Sequence, residues 1–153
     1  MLTVWRITTA RFVTSAFTGE GARLYGGRWN PKGYPIVYTA ESRSLALLEM
    51  LVQDDPLRAN YVLVPAHIPD ELSITTIQTQ ELPEDWRNLS MRDRLQTIGK
   101  DWLTSMRSAI MSVPSAVLPA ERNYLINPIH PDFQKIMFGQ SESLQTDMRL
   151  HRK

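Results

Sequence analysis

Residues 2–8 alternate between apolar and polar side chains, with Leu2, Val4 and Arg6 in phase, and this period of two predicts a first strand. A short apolar run at 36–39 predicts a second, buried strand. Ser42 then stands where a helix N-cap belongs, ahead of a helix over 43–53. Positions 45, 48, 49 and 52 share one face of that helix, and Leu47, Met50 and Leu51 lie opposite, so it reads as apolar nearly all round and largely buried. Residues 60–68 (Asn-Tyr-Val-Leu-Val-Pro-Ala-His-Ile) predict another strand, with Pro65 marking an edge or a bulge because proline cannot donate to a ladder. A weaker strand follows at 73–79, then a turn at 84–88.

From 91 to 111, Leu95, Ile98, Trp102, Leu103 and Met106 are spaced for one helical face, with Gly99 as a possible break. Strands at 113–118, interrupted by Pro114, and at 124–126, and a short helix over 132–138, complete the pattern. Several strands with few intervening helices indicate an α+β fold rather than a regular βαβ alternation. There is no internal repeat and no linker, so residues 1–153 read as a single compact domain, with 140–153 as a less defined tail. Between the first two strands, residues 17–34 hold five of the seven glycines, and they read as a long irregular loop of the kind that often carries function.

Composition narrows the function classes. The chain contains no cysteine, which removes disulfides and thiolate chemistry. The first ten residues interleave Trp5 and Arg6 with threonines instead of forming an apolar leader, and no segment has the apolar length of a membrane span, so a cytoplasmic setting is expected. A net charge of +1 gives no electrostatic footprint for nucleic acid. The basic tail, Arg149, His151, Arg152 and Lys153, reads as a solvated end.

Three places stand out chemically. Glu49 puts a carboxylate on an apolar helix, which is costly unless it is paired, hydrogen-bonded or protonated. An ion pair with a core arginine, a helix end that leaves Glu49 at the rim, and a functional acid all fit that pattern. The loop Leu24-Tyr25-Gly26-Gly27-Arg28-Trp29-Asn30-Pro31 sets a guanidinium, suited to phosphate or carboxylate, beside paired glycines. Its Trp29 is either a stacking surface or core. Ser115 is a single hydroxyl in an apolar run, with no glycine elbow and no histidine partner, so it reads as a hydrogen-bonding group and not a nucleophile. His67, His130 and His151 are scattered without ligand spacing, so no metal site is expected; His130, next to Pro131, reads as a turn residue.

Taken in order, Gly26-Gly27-Arg28-Trp29-Asn30-Pro31, Val37-Tyr38-Thr39-Ala40, Ala46-Leu47-Leu48-Glu49, Val113-Pro114-Ser115-Ala116-Val117 and Asn123-Tyr124-Leu125-Ile126-Asn127-Pro128 resemble the RES domain family, from Val4 to about Phe138. The resemblance implies an ADP-ribosyltransferase-like fold with a mixed, mostly antiparallel β-core, flanking helices and a cleft for NAD. It implies a bacterial toxin that depletes NAD by cleaving the nicotinamide–ribose bond, by hydrolysis or phosphorolysis, with NAD as substrate and no further cofactor. It also implies a partner antitoxin of the Xre helix-turn-helix type covering the cleft, and a homodimer within that complex.

Carried over by position, Glu49 and Arg28 are the catalytic pair, and Arg28, Tyr38, Ser115 and Asn123 are the residues that hold NAD. In this scheme Glu49 stabilises the oxocarbenium-like sugar, Arg28 grips the pyrophosphate or adjoining ribose, Tyr38 stacks on nicotinamide or holds its ribose, and Ser115 bonds the nucleotide. Two alternatives accompany it. One is a transferase that ADP-ribosylates a specific protein, and the other is an inactive domain that binds antitoxin or nucleotide. An RNA-cleaving toxin is disfavoured by the near-neutral charge.

Overall fold

The computed structural model of the protein describes residues 1–53 and 60–151. Its centre is one sheet whose strands are β1 (Leu2–Thr9), β2 (Val37–Ala40), β3 (Tyr61–Ile68), β4 (Ile74–Thr76), β5 (Ile110–Pro114), β6 (Arg122–Ile126), β7 (Met137–Phe138) and β8 (Glu142–Ser143). They lie in the order β4-β5-β6-β2-β1-β3-β7, and β8 also pairs with β3. Only β4 and β5 run parallel among these pairs, so the sheet is mixed and mostly antiparallel.

The register explains where a cleft can open. β1 and β3 pair along their whole length, from Leu2 with Ile68 to Thr9 with Tyr61. β1 and β2 share one paired position, Trp5 with Ala40. Beyond it the two strands part. Pro65 pairs in register with Trp5, and its carbonyl accepts from Gly139 on the outer side. A strand residue presents its nitrogen and oxygen to the same side, so the missing proline N–H faces the broken outer edge, where β7 and β8 are two residues each.

Among the described residues the α-helices are α1 (Glu20–Tyr25), α2 (Arg43–Leu51) and α3 (Arg92–Ser105). Strand alternation sorts the core onto both faces of the sheet. Met111, Val113 and Leu125 pack with Leu95 and Trp102 of α3, whereas Val4, Val37, Ile110 and Ile126 pack on the opposite side. A separate group of Trp5, Ala40, Leu45, Ala46 and Leu63 seats α2.

Several sequence expectations need correction. The glycine-rich stretch is not wholly irregular, because α1 lies within it. The helix expected over 91–111 ends at Ser105: Met106 turns left-handed at φ 56°, and Ile110 and Met111 belong to β5 instead. Tertiary partners close that end, since Asn127 Nδ2 donates to the Leu103 carbonyl at 3.2 Å and His130 Nε2 lies 2.9 Å from the Met106 carbonyl. His130 Nδ1 accepts from the Asp132 N–H, so Nε2 carries the proton and donates. Gly99 does not break α3. Its bare Cα lets Trp29 lie against the helix, where a Cβ would stand 1.6 Å from the Trp29 carbonyl oxygen. The strand expected at 113–118 ends at Pro114, which leaves Ser115 in the following turn. The short helix expected at 132–138 is a 3-10 turn, Pro131–Lys135, followed by β7.

Candidate active site

Ser42 caps α2, its hydroxyl accepting from the Leu45 N–H at 3.1 Å, and this fixes the rotation of the helix. Leu45, Ala46 and Met50 turn into the core, but Leu48 (37 %) and Val52 (64 %) are exposed, so the helix is amphipathic rather than buried all round. Glu49 falls on the boundary, half-buried at the edge of the cleft.

Its carboxylate is held from two sides. Ser115 Oγ donates to Oε2 at 2.8 Å and Asn123 Nδ2 donates to Oε1 at 2.9 Å. The Ser115 hydroxyl also accepts from the Val117 and Leu118 N–H groups, at 3.2 and 3.3 Å, so its only proton is committed to Glu49. The second Asn123 amide proton goes to the Thr39 carbonyl at 3.1 Å. Burial raises the Glu49 pKa above the usual carboxylate value, the bonds from Asn123 and Ser115 pull it back, and the nearby Glu121 charge adds to the rise. No cation pairs with Glu49 among the described residues, which removes the core ion pair as an account of this carboxylate. Ser115 itself is fully buried with its bonding capacity filled, so it anchors Glu49 and does not reach a nucleotide as the resemblance implied.

Tyr38 and the arginine loop form a second unit. The Tyr38 hydroxyl donates to Asn30 Oδ1 at 2.7 Å and accepts from the Trp29 N–H at 2.9 Å, and its burial pushes the phenol well above its ordinary pKa. Asn30 is fully buried and ties the loop down through Nδ2, which donates to the Ala22 and Tyr34 carbonyls at 2.8 and 3.0 Å. Gly27 must be bare here, because a Cβ would lie 2.6 Å from the Tyr38 hydroxyl oxygen. Gln96 of α3 holds the Gly27 carbonyl at 2.8 Å. Trp29, 2 % exposed and tilted against Trp86, is core and offers no stacking surface.

Locked between these bonds, Arg28 stays half-buried with one long contact, Nη1 to the Arg87 carbonyl at 3.4 Å. Its pKa is lowered by burial and by the like charges of Arg92 and Arg87. Arg28, Arg87 and Arg92 thus gather, with Arg28 and Arg92 near Tyr38 and no carboxylate in an ion pair with any of the three among the described residues. Such a cluster suits an anion.

Where β1 and β2 part lies a cleft of about 360 Å³, lined by Arg6, Tyr38, Thr39, Glu49, Met50 and Tyr61 among others. Sequence reasoning missed Arg6 as a site residue. The only signal was a charged residue in phase with Leu2 and Val4 on β1. Its Nη1 donates to the Tyr38 carbonyl at 3.1 Å, across the gap between the two strands. Its Nε is buried without a partner among the described residues, and burial lowers its pKa. Asn30 was also missed, although it sits inside the glycine-arginine motif; its role needs the Tyr38 hydroxyl, which no spacing reveals. The histidines play no part: His67 Nδ1 meets Thr3 Oγ1 at 2.9 Å, His130 closes α3, and the side chain of His151 lies outside the described residues. Among the described residues no three His, Asp or Glu side chains gather for a metal.

The sheet opens between β1 and β2, and Glu49 and Arg6 both line the gap. Residues 3–147 match the RES domain, and the chain belongs to that family. It is 40% identical over 150 residues to a protein of Yersinia enterocolitica named Toxin Res, covering 96% of this chain and 98% of that one. It is 39% identical over 155 residues to the Prs ADP-ribosylating toxin of a Sphingobium species, covering 97% and 96%. Among solved structures, the Mycobacterium tuberculosis MbcT–MbcA toxin–antitoxin complex superposes with a TM-score of 0.78 at 24% identity, over 93% of this chain and 83% of that one. The chain therefore shares the fold of a chain of that complex. In sequence, the M. tuberculosis protein named NAD(+) phosphorylase MbcT is 34% identical over 91 residues, half of this chain and 49% of that one.

Proposed function

We propose that this protein is the toxin of a bacterial toxin–antitoxin pair and that it breaks the bond between nicotinamide and ribose in NAD. The observation that carries this reading is Glu49: a half-buried carboxylate at the cleft, fixed by two donors and with no paired cation among the described residues. Such a group favours a ligand that brings a positive charge. NAD supplies one, since its pyridinium is a cationic leaving group and the ribose turns oxocarbenium-like as the C–N bond breaks. The bonding pair leaves with nicotinamide, which departs neutral, so no acid is needed to protonate it. Tyr38 lines the cleft with its hydroxyl already engaged, which leaves its ring for the nicotinamide or ribose. Arg28, with Arg87 and Arg92 beside it, takes the pyrophosphate.

The experiment is nicotinamide release from NAD by the purified protein, run beside Glu49→Gln. Losing this electrostatic contact should slow release by about 100-fold or more. A folded wild type that releases no nicotinamide with water, phosphate or cell extract as acceptor would end this reading in favour of a domain that only binds. The name of the Sphingobium relative favours a second reading, transfer of ADP-ribose to a protein side chain. Label from adenine-labelled NAD appearing on protein in extract would select it.

The partner we assign is an antitoxin that covers the cleft. The solved relative is a toxin–antitoxin complex, and exposed Leu48 on α2 and Val52 just after it offer an apolar margin for such contact. We extend this reading, on the RES resemblance, to an Xre-type partner, a toxin dimer and a cytoplasmic setting. Among the described residues no helix is long and apolar enough to cross a membrane.

A further inference from the structure

Arg43 opens α2 where the helix dipole disfavours a cation, and no acidic residue stands in that first turn. The missing anion comes from 99 residues further along the chain. Glu142 of β8 takes the Arg43 guanidinium at both oxygens, from Nε at 3.0 Å and from Nη2 at 3.1 Å. The same guanidinium lies over the Trp5 ring, 3.8 Å from its centroid. Trp5 pairs with Ala40 at the one position that joins β1 to β2, so the ion pair rests on the residue from which the two strands part. The segment that delivers Glu142 spans a second hollow, of about 690 Å³, lined by Trp5, Arg43, Pro65 and His67 among others. On one side of it β7 pairs with Ala66 and His67, and on the other β8 pairs with Val62 and Leu63. Gln140 and Ser141 cross between them outside the ladder. Past the hollow, Leu144 packs against the group of Trp5, Ala40, Leu45, Ala46 and Leu63 that seats α2.

We propose that residues 139–144 are a strap that sets the position of α2, and that Arg43 and Glu142 act through it as positioning residues for Glu49. This rests on the role given to Glu49 in the function proposed above. Glu49 follows Arg43 by less than two turns of the same helix. Its carboxylate meets Ser115, in the turn after β5, and Asn123 of β6, so a slide or rotation of α2 strains both bonds together. An ion pair this exposed adds little to global stability. Its use is geometric. A forked guanidinium held edge-on by a carboxylate and face-on by an indole fixes the start of α2 in rotation as well as in place. Leu144 holds the same helix from below through the shared apolar group.

The test follows the Glu49 carboxyl by NMR through a pH titration, and measures kcat and KM for nicotinamide release, in wild type, Glu142→Gln, Arg43→Gln and the double variant. Loosening α2 weakens the Ser115 and Asn123 bonds that pull the Glu49 pKa down, so Glu142→Gln should titrate Glu49 at higher pH than wild type. The direct electrostatic effect of removing a negative charge has the opposite sign, which separates the strap from a plain charge effect. In each single variant kcat should fall by about 3- to 10-fold while the KM for NAD stays within about twofold. The double variant should lose no more than the worse single one, because either change breaks the same pair. Arg43→Lys, which keeps the charge without the fork, should recover part of the loss. A Glu49 titration that stays in place or moves to lower pH in Glu142→Gln would overturn the proposal. So would losses that add in the double variant, or a KM that rises with kcat unchanged. A wild type that releases no nicotinamide, with the Glu49 titration still moving upward in Glu142→Gln, would end the NAD reading and leave the strap standing.

Discussion

Ser115 gives its one hydroxyl proton to Glu49, and it can do nothing else with it. The two N–H groups of Val117 and Leu118 fill its acceptor side, so the bond to Oε2 at 2.8 Å has a fixed direction. A donor fixed in this way favours the ionised carboxylate that the proposed chemistry needs.

Removing that donor should therefore act through Glu49. Ser115→Ala leaves the carboxylate one bond short and two turn N–H groups unsatisfied. It should lower stability by about 1–3 kcal/mol and move the acid limb of the nicotinamide-release profile to higher pH than in wild type. Thermal unfolding and a rate profile against pH check the two effects separately.

Asn123→Asp keeps the shape and replaces a donor with a like charge at 2.9 Å from the Glu49 carboxylate. The pair should then share a proton near neutrality. Nicotinamide release at pH 7 should fall by about tenfold or more, with a wild-type circular dichroism spectrum. An unchanged rate would mean that Glu49 does not act as an anion.

In the wild type, burial holds the Glu49 pKa above its ordinary value, so activity should fall on acidification at a pH higher than an exposed glutamate would give. The sign for stability is opposite. A carboxyl whose folded pKa is raised stabilises the fold below its unfolded pKa, and that contribution is lost as pH rises through the folded pKa. The rate should thus rise with pH over the window in which Glu49's own share of stability is lost. Rate and unfolding midpoint recorded over the same pH series test this directly.

Gly99→Ala forces a methyl to within 1.6 Å of the Trp29 carbonyl oxygen, which is backbone and cannot swing aside. Either α3 or the Arg28 loop must move. The expected cost is about 1–3 kcal/mol in urea unfolding, even though alanine is the better helix former. Because the displaced loop carries Arg28, the KM for NAD should rise as well.

Tyr38→Phe keeps the ring in the cleft but strands the Trp29 N–H and Asn30 Oδ1. Stability should drop by about 1–3 kcal/mol, while nicotinamide release by the folded protein stays within about tenfold of wild type. A loss as large as that of Glu49→Gln would show that the hydroxyl contacts substrate.

Much of this arrangement is local and was legible in the chain. The period-two pattern of β1 and β3, the Ser42 cap that sets the phase of α2, and the odd carboxylate at Glu49 all follow from neighbours a few residues apart. Spacing could not tell how far α3 runs, because Ile110 fits its apolar stripe as well as it fits a strand. A left-handed Met106 and partners from residues 127–130 decide the matter. Nor could spacing find β7 and β8, which are too short to show a period and exist only against β3.

The site divides in the same way. The sequence by itself determined which groups were chemically out of place: a carboxylate on an apolar helix, an arginine among glycines, a serine in an apolar run. Only the tertiary structure decided what each one faces. It turned Ser115 inward onto Glu49 from 66 residues away, removed Trp29 to the core and parted β1 from β2 so that Arg6 entered the cleft. Burial and hydrogen bonding are set by residues distant in the chain. Propensity and periodicity act only over neighbours, so they mark a residue as anomalous without naming its partner.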